Sequence, residues 1–534
     1  METEARLFGC VASSGPSGTE RSIRERYQPK HAGWRSAELP GAGFVAVASG
    51  AMLFEDADGV TAAAGWRVGR EIHEAARRAG SEFTAVLDGQ FCAARFDNAS
   101  RSLHLAVDTF GIERLFYCDR NGIVCFSDDV ATLWSWFDAG KKPCAESIDA
   151  YFTLFQIPAP LSGFANIAQV PPNSVVTVRN GGISVKESVW MPEIASASNK
   201  EESLRDLEWE LGAKVADGVG PGASAALLFS GGVDSMLLAS VLSRRGVSLE
   251  AHSFGEEGSE ELKIAATRAA WLKVPHQRWT MPPRLSLAPA TLKWRMPVAS
   301  IRIPYVDWFC EQVGRQKCLL VSGSGADGVF SGDPIWRRIA KQGDGPLAAT
   351  RLYRRAKHFA RRYLYGSGLR RRLCGRAPEA VLIRAYEQQG PLFQYLMAAK
   401  PSIIDAYARA VGRNSVVFFP FLSRQVIQLA LRLNDERPKG ALKTLLARSV
   451  PSFPIDEAKR GFGQSVRLEA MFAGYGGASS WASSIAQGPL CAEGFLDAQG
   501  VRLLFDEAVS DSAFQGLAWS VGALDAWFRL LIAA

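Results

Sequence analysis

Three short stretches of the sequence hold residue types suited to phosphate and a divalent metal. Ser230-Gly231-Gly232-Val233-Asp234-Ser235 lies between an apolar run and a helix-like run. Paired glycines let a backbone turn tightly and approach a ligand closely. A helix starting there offers unpaired N–H groups and a positive dipole end to an anion. The hydroxyls of Ser230 and Ser235 add donors. A bare carboxylate at Asp234 would repel phosphate, a conflict that bound Mg²⁺ removes. The competing reading is an ordinary Gly-Gly turn capped by serine, and the strand–loop–helix context favours phosphate. No Gly-Lys-Ser/Thr follows, so this is not a Walker A loop.

The second stretch, Ser322-Gly323-Ser324-Gly325-Ala326-Asp327-Gly328, follows the apolar run KCLLV. Ligands of open α/β sheets bind at the carboxyl ends of strands. The two loops are therefore expected to share one crevice, with Asp234 and Asp327 on Mg²⁺ and pyrophosphate. Alone, the second loop reads equally well as a flexible connection. The third stretch is Glu457-Ala458-Lys459-Arg460-Gly461-Phe462-Gly463. A lysine beside glycines is most often a solvated surface charge. Fixed in a crevice, Lys459 would stabilise the negative charge that develops as a tetrahedral intermediate collapses.

The elements around these loops change character once along the chain. Through residue 195 the pattern is β-rich, with short apolar runs such as GFVAVASGAMLF and SLHLAVDTF broken by Gly, Asn and Asp. A polar break over 196–202 precedes SLRDLEWELGAKVADGV, which has helical spacing. The strand ASAALLF, a helix, the strand SLEAHSF, a helix over 260–271 and the strand KCLLVSG then alternate, which implies a parallel sheet covered on both faces. From about residue 345 the pattern is mostly helical. The expected organisation is an α+β, β-sandwich domain over 1–195 and an α/β domain over 203–534 with a helical C-terminal part.

Composition narrows the function classes. The 534 residues are 47% hydrophobic and 22% charged, the balance of a globular protein with sizeable cores. No apolar run reaches the ~20 residues that span a bilayer. The N-terminal stretch lacks the apolar core of a signal peptide, so a cytoplasmic location is expected. The nine cysteines include no C-x-x-C pair, which argues for reduced thiols rather than a disulfide framework or zinc site.

Five ordered motifs give the chain its resemblance. SGGVDS resembles the pyrophosphate loop of ATP pyrophosphatases, the adenine nucleotide alpha hydrolase-like enzymes that cleave ATP to AMP and pyrophosphate. SGGVDS, Glu260-Glu261, SGSGAD, FPFLSR and KRGFG stand in the order of the asparagine synthetase family. Gly89-Gln90-Phe91, the run from Val107 to Tyr117, and FSDDVATLW resemble its class II glutamine amidotransferase domain. The resemblance implies that adenosine and the α-phosphate lie against Leu228, Ser230, Phe254, Ser322 and Gly323. It places pyrophosphate on Ser230, Gly231, Gly232 and Ser235, and Mg²⁺ on Asp234 and Asp327. It puts Lys459 on the adenylate phosphate and Ser324 in the acyl site.

The departures from that family are as telling. Class II glutaminases use an N-terminal cysteine; this chain has Glu2, and Ala5 at the aligned position, while Cys10 lies within a strand-like run. A degenerate glutaminase is expected. Ser324 and Gly328 replace two carboxylates, Val416-Val417-Phe418 replaces a Glu-x-Arg, and Ser423 replaces an Asp. Family members with a dead glutaminase and a rebuilt pocket include β-lactam synthetases and lasso-peptide cyclases. The Tyr that β-lactam synthetases place at Ser324 is missing. A macrolactam-forming lasso-peptide cyclase is the expected reading: ATP and Mg²⁺ activate an Asp or Glu side chain of a precursor peptide, and the peptide's N-terminal amine closes the ring. Expected partners are that peptide, a leader peptidase and an exporter. The alternative is a ligase acting on a small carboxylate, as in asparagine or β-lactam synthesis; a tRNA-modifying pyrophosphatase ranks last.

Residues 337–376 carry thirteen Lys and Arg against one acid, Asp344, in a chain of net charge +7. Leu352, Tyr353, Ala356, Phe359, Ala360, Tyr363 and Leu364 give that segment an apolar stripe at helical spacing. It reads as a solvated helix face or as a dock for an acidic peptide, partner or membrane surface. No RNA-binding motif accompanies the charge, so nucleic acid is not expected.

Overall fold

The computed structural model describes residues 5–12, 25, 34–48, 50–66, 69–135, 143–154, 156–187, 190–193, 199–219, 224–282, 297, 303–314, 319–330, 359–373, 417–433, 435, 437–455 and 472–533. Lys459 and most of the basic segment 337–376 lie outside them.

Among the described residues, twelve strands form the N-terminal part: β1 (Leu7–Ala12), β2 (Arg35–Leu39), β3 (Gly43–Val47), β4 (Met52–Asp56), β5 (Gly59–Trp66), β6 (Gln90–Asp97), β7 (Ser102–Val107), β8 (Phe116–Arg120), β9 (Ile123–Ser127), β10 (Ala168–Gln169), β11 (Val175–Arg179) and β12 (Gly182–Lys186). They make two six-stranded antiparallel sheets, ordered β10-β8-β9-β1-β3-β2 and β12-β11-β7-β6-β5-β4. The sheets stack on a shared core to which β1 gives Leu7 and Val11, β3 gives Val45 and Val47, and β6 gives Cys92, Ala94 and Phe96. The intervening Phe8 and Cys10 face the other side of β1, into a second core. The period-two alternation of a strand thus feeds two apolar layers, which is why LFGCVA reads as continuously hydrophobic. The outer face of the second sheet packs under the helix Arg70–Ala79 through Ile72, Ala75 and Ala76. That helix, rich in Arg and Glu, is absent from a reading based on apolar strand runs.

Beyond it, β13 (Ser224–Leu228), β14 (Ser248–Gly255), β15 (His276–Thr280), β16 (Leu319–Ser322) and β17 (Val417–Phe418) form a parallel sheet ordered β15-β14-β13-β16-β17. The helix Val233–Arg244 links β13 to β14 and Glu260–Trp271 links β14 to β15. The chain then returns to the opposite side of β13. The order therefore reverses between β13 and β16, the place where such sheets form a ligand crevice. The helix expected from residue 203 begins at Lys200, because Asn199 accepts hydrogen bonds from the N–H groups of Glu201 and Glu202 and so caps it.

One contact between the two parts stands out for its chemistry. The Gln90 amide donates to Val417 O at 2.8 Å and accepts from Phe419 N–H at 2.9 Å. A side chain thereby completes the edge of β17 as a neighbouring strand would. Arg424 follows a few residues on. Its Nε donates to Thr109 Oγ1 at 2.7 Å, Nη1 to Ala85 O at 2.7 Å and Nη2 to Thr84 O at 2.6 Å, while its N–H donates to Asp88 at 3.1 Å. Burial pushes the guanidinium pKa down to about 10 against the pull of Asp88 and Asp108, so it stays charged at neutral pH. Trp66 lies 5.5 Å from the Phe418 ring across the same boundary.

Of the basic segment, residues 359–373 are described. Phe359, Ala360 and Leu364 are buried, whereas Tyr363 is exposed, and the Tyr365 hydroxyl donates to Asp149. No helix among the described residues is long and apolar enough to cross a membrane.

Candidate active site

The loop after β13 takes the shape its glycines permit. Gly231 sits at φ +71°, a region that side-chain-bearing residues rarely occupy. Gly232 is the residue before the helix Val233–Arg244 and makes no side-chain cap. The first N–H groups of that helix therefore have no capping side chain. Ser230 Oγ accepts from Gly232 N–H at 3.3 Å, and Ser235 Oγ donates to Gly232 O at 3.2 Å. Arg268 Nη1 donates to Gly231 O at 2.9 Å while its guanidinium lies 4.7 Å over the Phe453 ring. The Gly231 carbonyl is thus engaged by a cation that itself borders the crevice.

β13 and β16 are direct neighbours, with Leu228 opposite Ser322, so their following loops meet. A Cβ on Gly323 would lie 3.1 Å from Asp234 Cβ. Ser322 Oγ donates to Ser324 Oγ at 3.0 Å and accepts from Ser324 N–H at 3.2 Å, which folds the second loop back on itself. Gly325 then turns at φ +98° beneath Leu422 of the FPFLSR segment, whose carbons a Cβ would meet at 2.8 Å. Gly325→Ala should cost about 1–3 kcal/mol from left-handed strain and overpacking together. Gly232→Ala, at an ordinary φ of −72° with only Ser230 Oγ nearby, should stay within ~0.5 kcal/mol of the parent. Thermal unfolding of the pair checks this; equal midpoints would show that the Leu422 contact is not tight.

A cavity of about 310 Å³ opens between the loops, lined among others by Ser230, Gly232, Asp234, Phe254, Asp327 and Lys439. Five of the residues expected from the sequence meet there. Leu228, Gly231, Ser235, Ser322, Gly323 and Ser324 sit in or beside the two loops without lining it. Phe254, the next-to-last residue of β14, packs on Phe309, ring centres 4.4 Å apart, giving the cavity an apolar wall.

Lys439 was not legible from the motifs. Its Nζ lies 2.5 Å from Asp234 Oδ2 and 2.7 Å from Asp327 Oδ1. Burial opposes its charge, yet the two carboxylates outweigh that and hold the ammonium pKa above its ordinary value. Lys439 occupies φ +56°, unusual for a lysine, at the start of the helix Gly440–Ser449. The sequence signal was Pro438-Lys439-Gly440 before an apolar helix, a cation in a forced turn. Lys443, Arg268 and Glu261 also line the cavity. Two carboxylate oxygens already converge on one point cation, so Asp234 and Asp327 have the donor chemistry and the convergence that Mg²⁺ requires.

Two family profiles match the chain. The Asparagine synthase family profile matches residues 215–529, and the Glutamine amidotransferase domain profile matches residues 71–190. A carboxyethyl-arginine beta-lactam-synthase of Streptomyces clavuligerus is 26% identical over 211 residues, 39% of this chain and 36% of its own length. A Mycobacterium tuberculosis protein assigned as a glutamine-hydrolyzing asparagine synthetase is 22% identical over 301 residues, 54% of this chain and 45% of its own. The chain thus spans less than half the length of these curated relatives. A solved glutamine phosphoribosylpyrophosphate amidotransferase from B. subtilis, complexed with ADP and GMP, aligns with 51% of this chain and 65% of its own at 10% identity and a TM-score of 0.24.

Proposed function

The chain belongs to the asparagine synthase family, and from that premise we propose that it cleaves ATP to AMP and pyrophosphate to activate a carboxylate and pass it to an amine. The observation that carries this reading is the meeting of Asp234 and Asp327 on one cation at the reversal point of a parallel sheet. Bound Mg²⁺ would supply charge neutralisation for the leaving pyrophosphate. The chain's own groups do the rest. The helix N-terminus at Gly232 and the Ser230 and Ser235 hydroxyls receive phosphate oxygens. Phe254 shields the adenosine side from water, and Lys439 lends positive charge where the phosphates lie. Lys459 is proposed to reach the adenylate phosphate during breakdown of the tetrahedral intermediate.

The amine is proposed to belong to the same molecule as the carboxylate. Cys10 is fully buried in the middle of β1, opposite Phe44 and Cys125, and Ala5 precedes that strand with no nucleophile to offer. No ammonia source is therefore assigned to the N-terminal part. Phe418 is buried against Trp66, an apolar pair where the family resemblance implies charge. A peptide with a free N-terminus and an internal Asp or Glu fits these features as a macrolactam substrate of lasso-peptide type. Holding both groups in one pocket replaces a bimolecular encounter, an effect that reaches ~7–11 kcal/mol in well-oriented cases. The second reading, a small carboxylate carrying its own amine, is favoured by the similarity to the beta-lactam-synthase.

The deciding experiment incubates the purified protein, ATP and Mg²⁺ with a linear precursor peptide encoded beside it, and reads product mass. Loss of one water with an isopeptide link from residue 1 supports the macrolactam. Cyclisation of a small amino-carboxylate instead supports the second reading. Glutamine should release no glutamate under either; asparagine formed from aspartate and ammonium at a comparable rate overturns both.

A further inference from the structure

We infer that Lys439 is the resident counter-ion of the metal site, so that the divalent ion binds well only together with the nucleotide. The inference rests on the reading of Asp234 and Asp327 as metal ligands and goes beyond it. Two carboxylates facing one cavity repel each other unless a cation lies between them. In this structure that cation is the Lys439 ammonium, within hydrogen-bond reach of both.

Its position is built rather than incidental. The Lys439 N–H donates to Phe330 O at 3.1 Å, and Phe330 ends the short helix Ala326–Val329 that bears Asp327. The lysine backbone is thereby tied to the segment carrying one of its carboxylate partners. Lys439 holds a left-handed φ of +56°, and strain of that kind persists only where surroundings enforce it. On its other side, a Cβ at Gly440 would collide with the Asp435 carboxylate at 2.3 Å, so the turn is closed from both directions. The residue is only 8% exposed.

A divalent ion arriving alone must compete with a buried ammonium already within hydrogen-bond reach of both carboxylates. A nucleotide brings phosphate oxygens into the same cavity, and the displaced ammonium moves onto them. Metal and nucleotide therefore bind with positive coupling, each raising the other's affinity by one factor. The device keeps the nucleotide-free enzyme from retaining stray divalent ions.

The test titrates Mn²⁺ into purified full-length protein without nucleotide and follows the free-ion signal by electron paramagnetic resonance. The parent should bind weakly. Lys439→Met and Lys439→Gln should each bind at least ~10-fold tighter, and Lys439→Arg should resemble the parent because it keeps the charge. Adding Asp234→Asn to Lys439→Met should abolish the gain. Tight Mn²⁺ binding by the parent, or no gain in folded Lys439→Met or Lys439→Gln protein, overturns the inference. Far-ultraviolet circular dichroism reports which variants are folded. If the Mn²⁺ results hold while ATP is never cleaved to AMP, the counter-ion role stands and the proposed activity falls; the reverse pattern condemns only the counter-ion.

Discussion

Asp234→Asn and Asp327→Asn should each lower ATP-dependent pyrophosphate release by at least ~10²-fold, the scale expected when charge stabilisation at a reacting phosphate is lost. Both substitutions preserve shape, so the loss reports charge rather than packing. The carboxylates converge on one cation position at 2.5 and 2.7 Å; removing either leaves half of that cradle. Residues acting as a unit are not additive. The double variant should therefore fall little below the worse single one. Quantifying AMP, ADP and pyrophosphate with the identified substrate checks this. ADP as the nucleotide product, or near-parental rates in both variants, would sink the adenylation reading.

The largest stability effect is expected at Arg424. Its guanidinium is buried and makes three side-chain hydrogen bonds to Thr84, Ala85 and Thr109, each 2.6–2.7 Å. Arg424→Ala strands two carbonyls and the Thr109 hydroxyl, while Asp88 keeps its Lys214 partner. Each buried group left unsatisfied costs about 1–3 kcal/mol, so a loss of at least ~3 kcal/mol is expected. Arg424→Lys should recover little, because an ammonium cannot reproduce the planar fork that reaches all three acceptors. Urea unfolding followed by both tryptophan fluorescence and circular dichroism measures the change. A midpoint within error of the parent's would mean that the two parts of the chain hold together without this contact.

The sequence made some of this plain and hid the rest for identifiable reasons. SGGVDS was readable because the backbone demand of Gly231 and Gly232, the hydroxyls and the following helix are all local. The adjacency of its loop to Ser322–Gly328 followed from a parallel sheet, which constrains strand ends. Lys439 was hidden because it lies 205 residues from Asp234, and the Pro438-Lys439-Gly440 turn does not say which carboxylates it meets. Strand β17 was equally silent: two residues, Val417–Phe418, are too few for a period. Gln90 was noticed inside a motif, but not as a group that reaches across the chain to Val417 and Phe419. Lys459 was legible as part of KRGFG, yet lies outside the described residues.

The Gln90 amide gives the N-terminal part a structural role that is independent of any chemistry there. An open sheet ends in a strand whose outward N–H and C=O groups can recruit another copy of the same strand, the first step toward aggregates. On β17 those groups are Val417 O and Phe419 N–H, and Gln90 already occupies both. The N-terminal part thus guards the open edge of the parallel sheet. Removing the N-terminal part would uncover those two groups and leave the edge of the parallel sheet open to pairing.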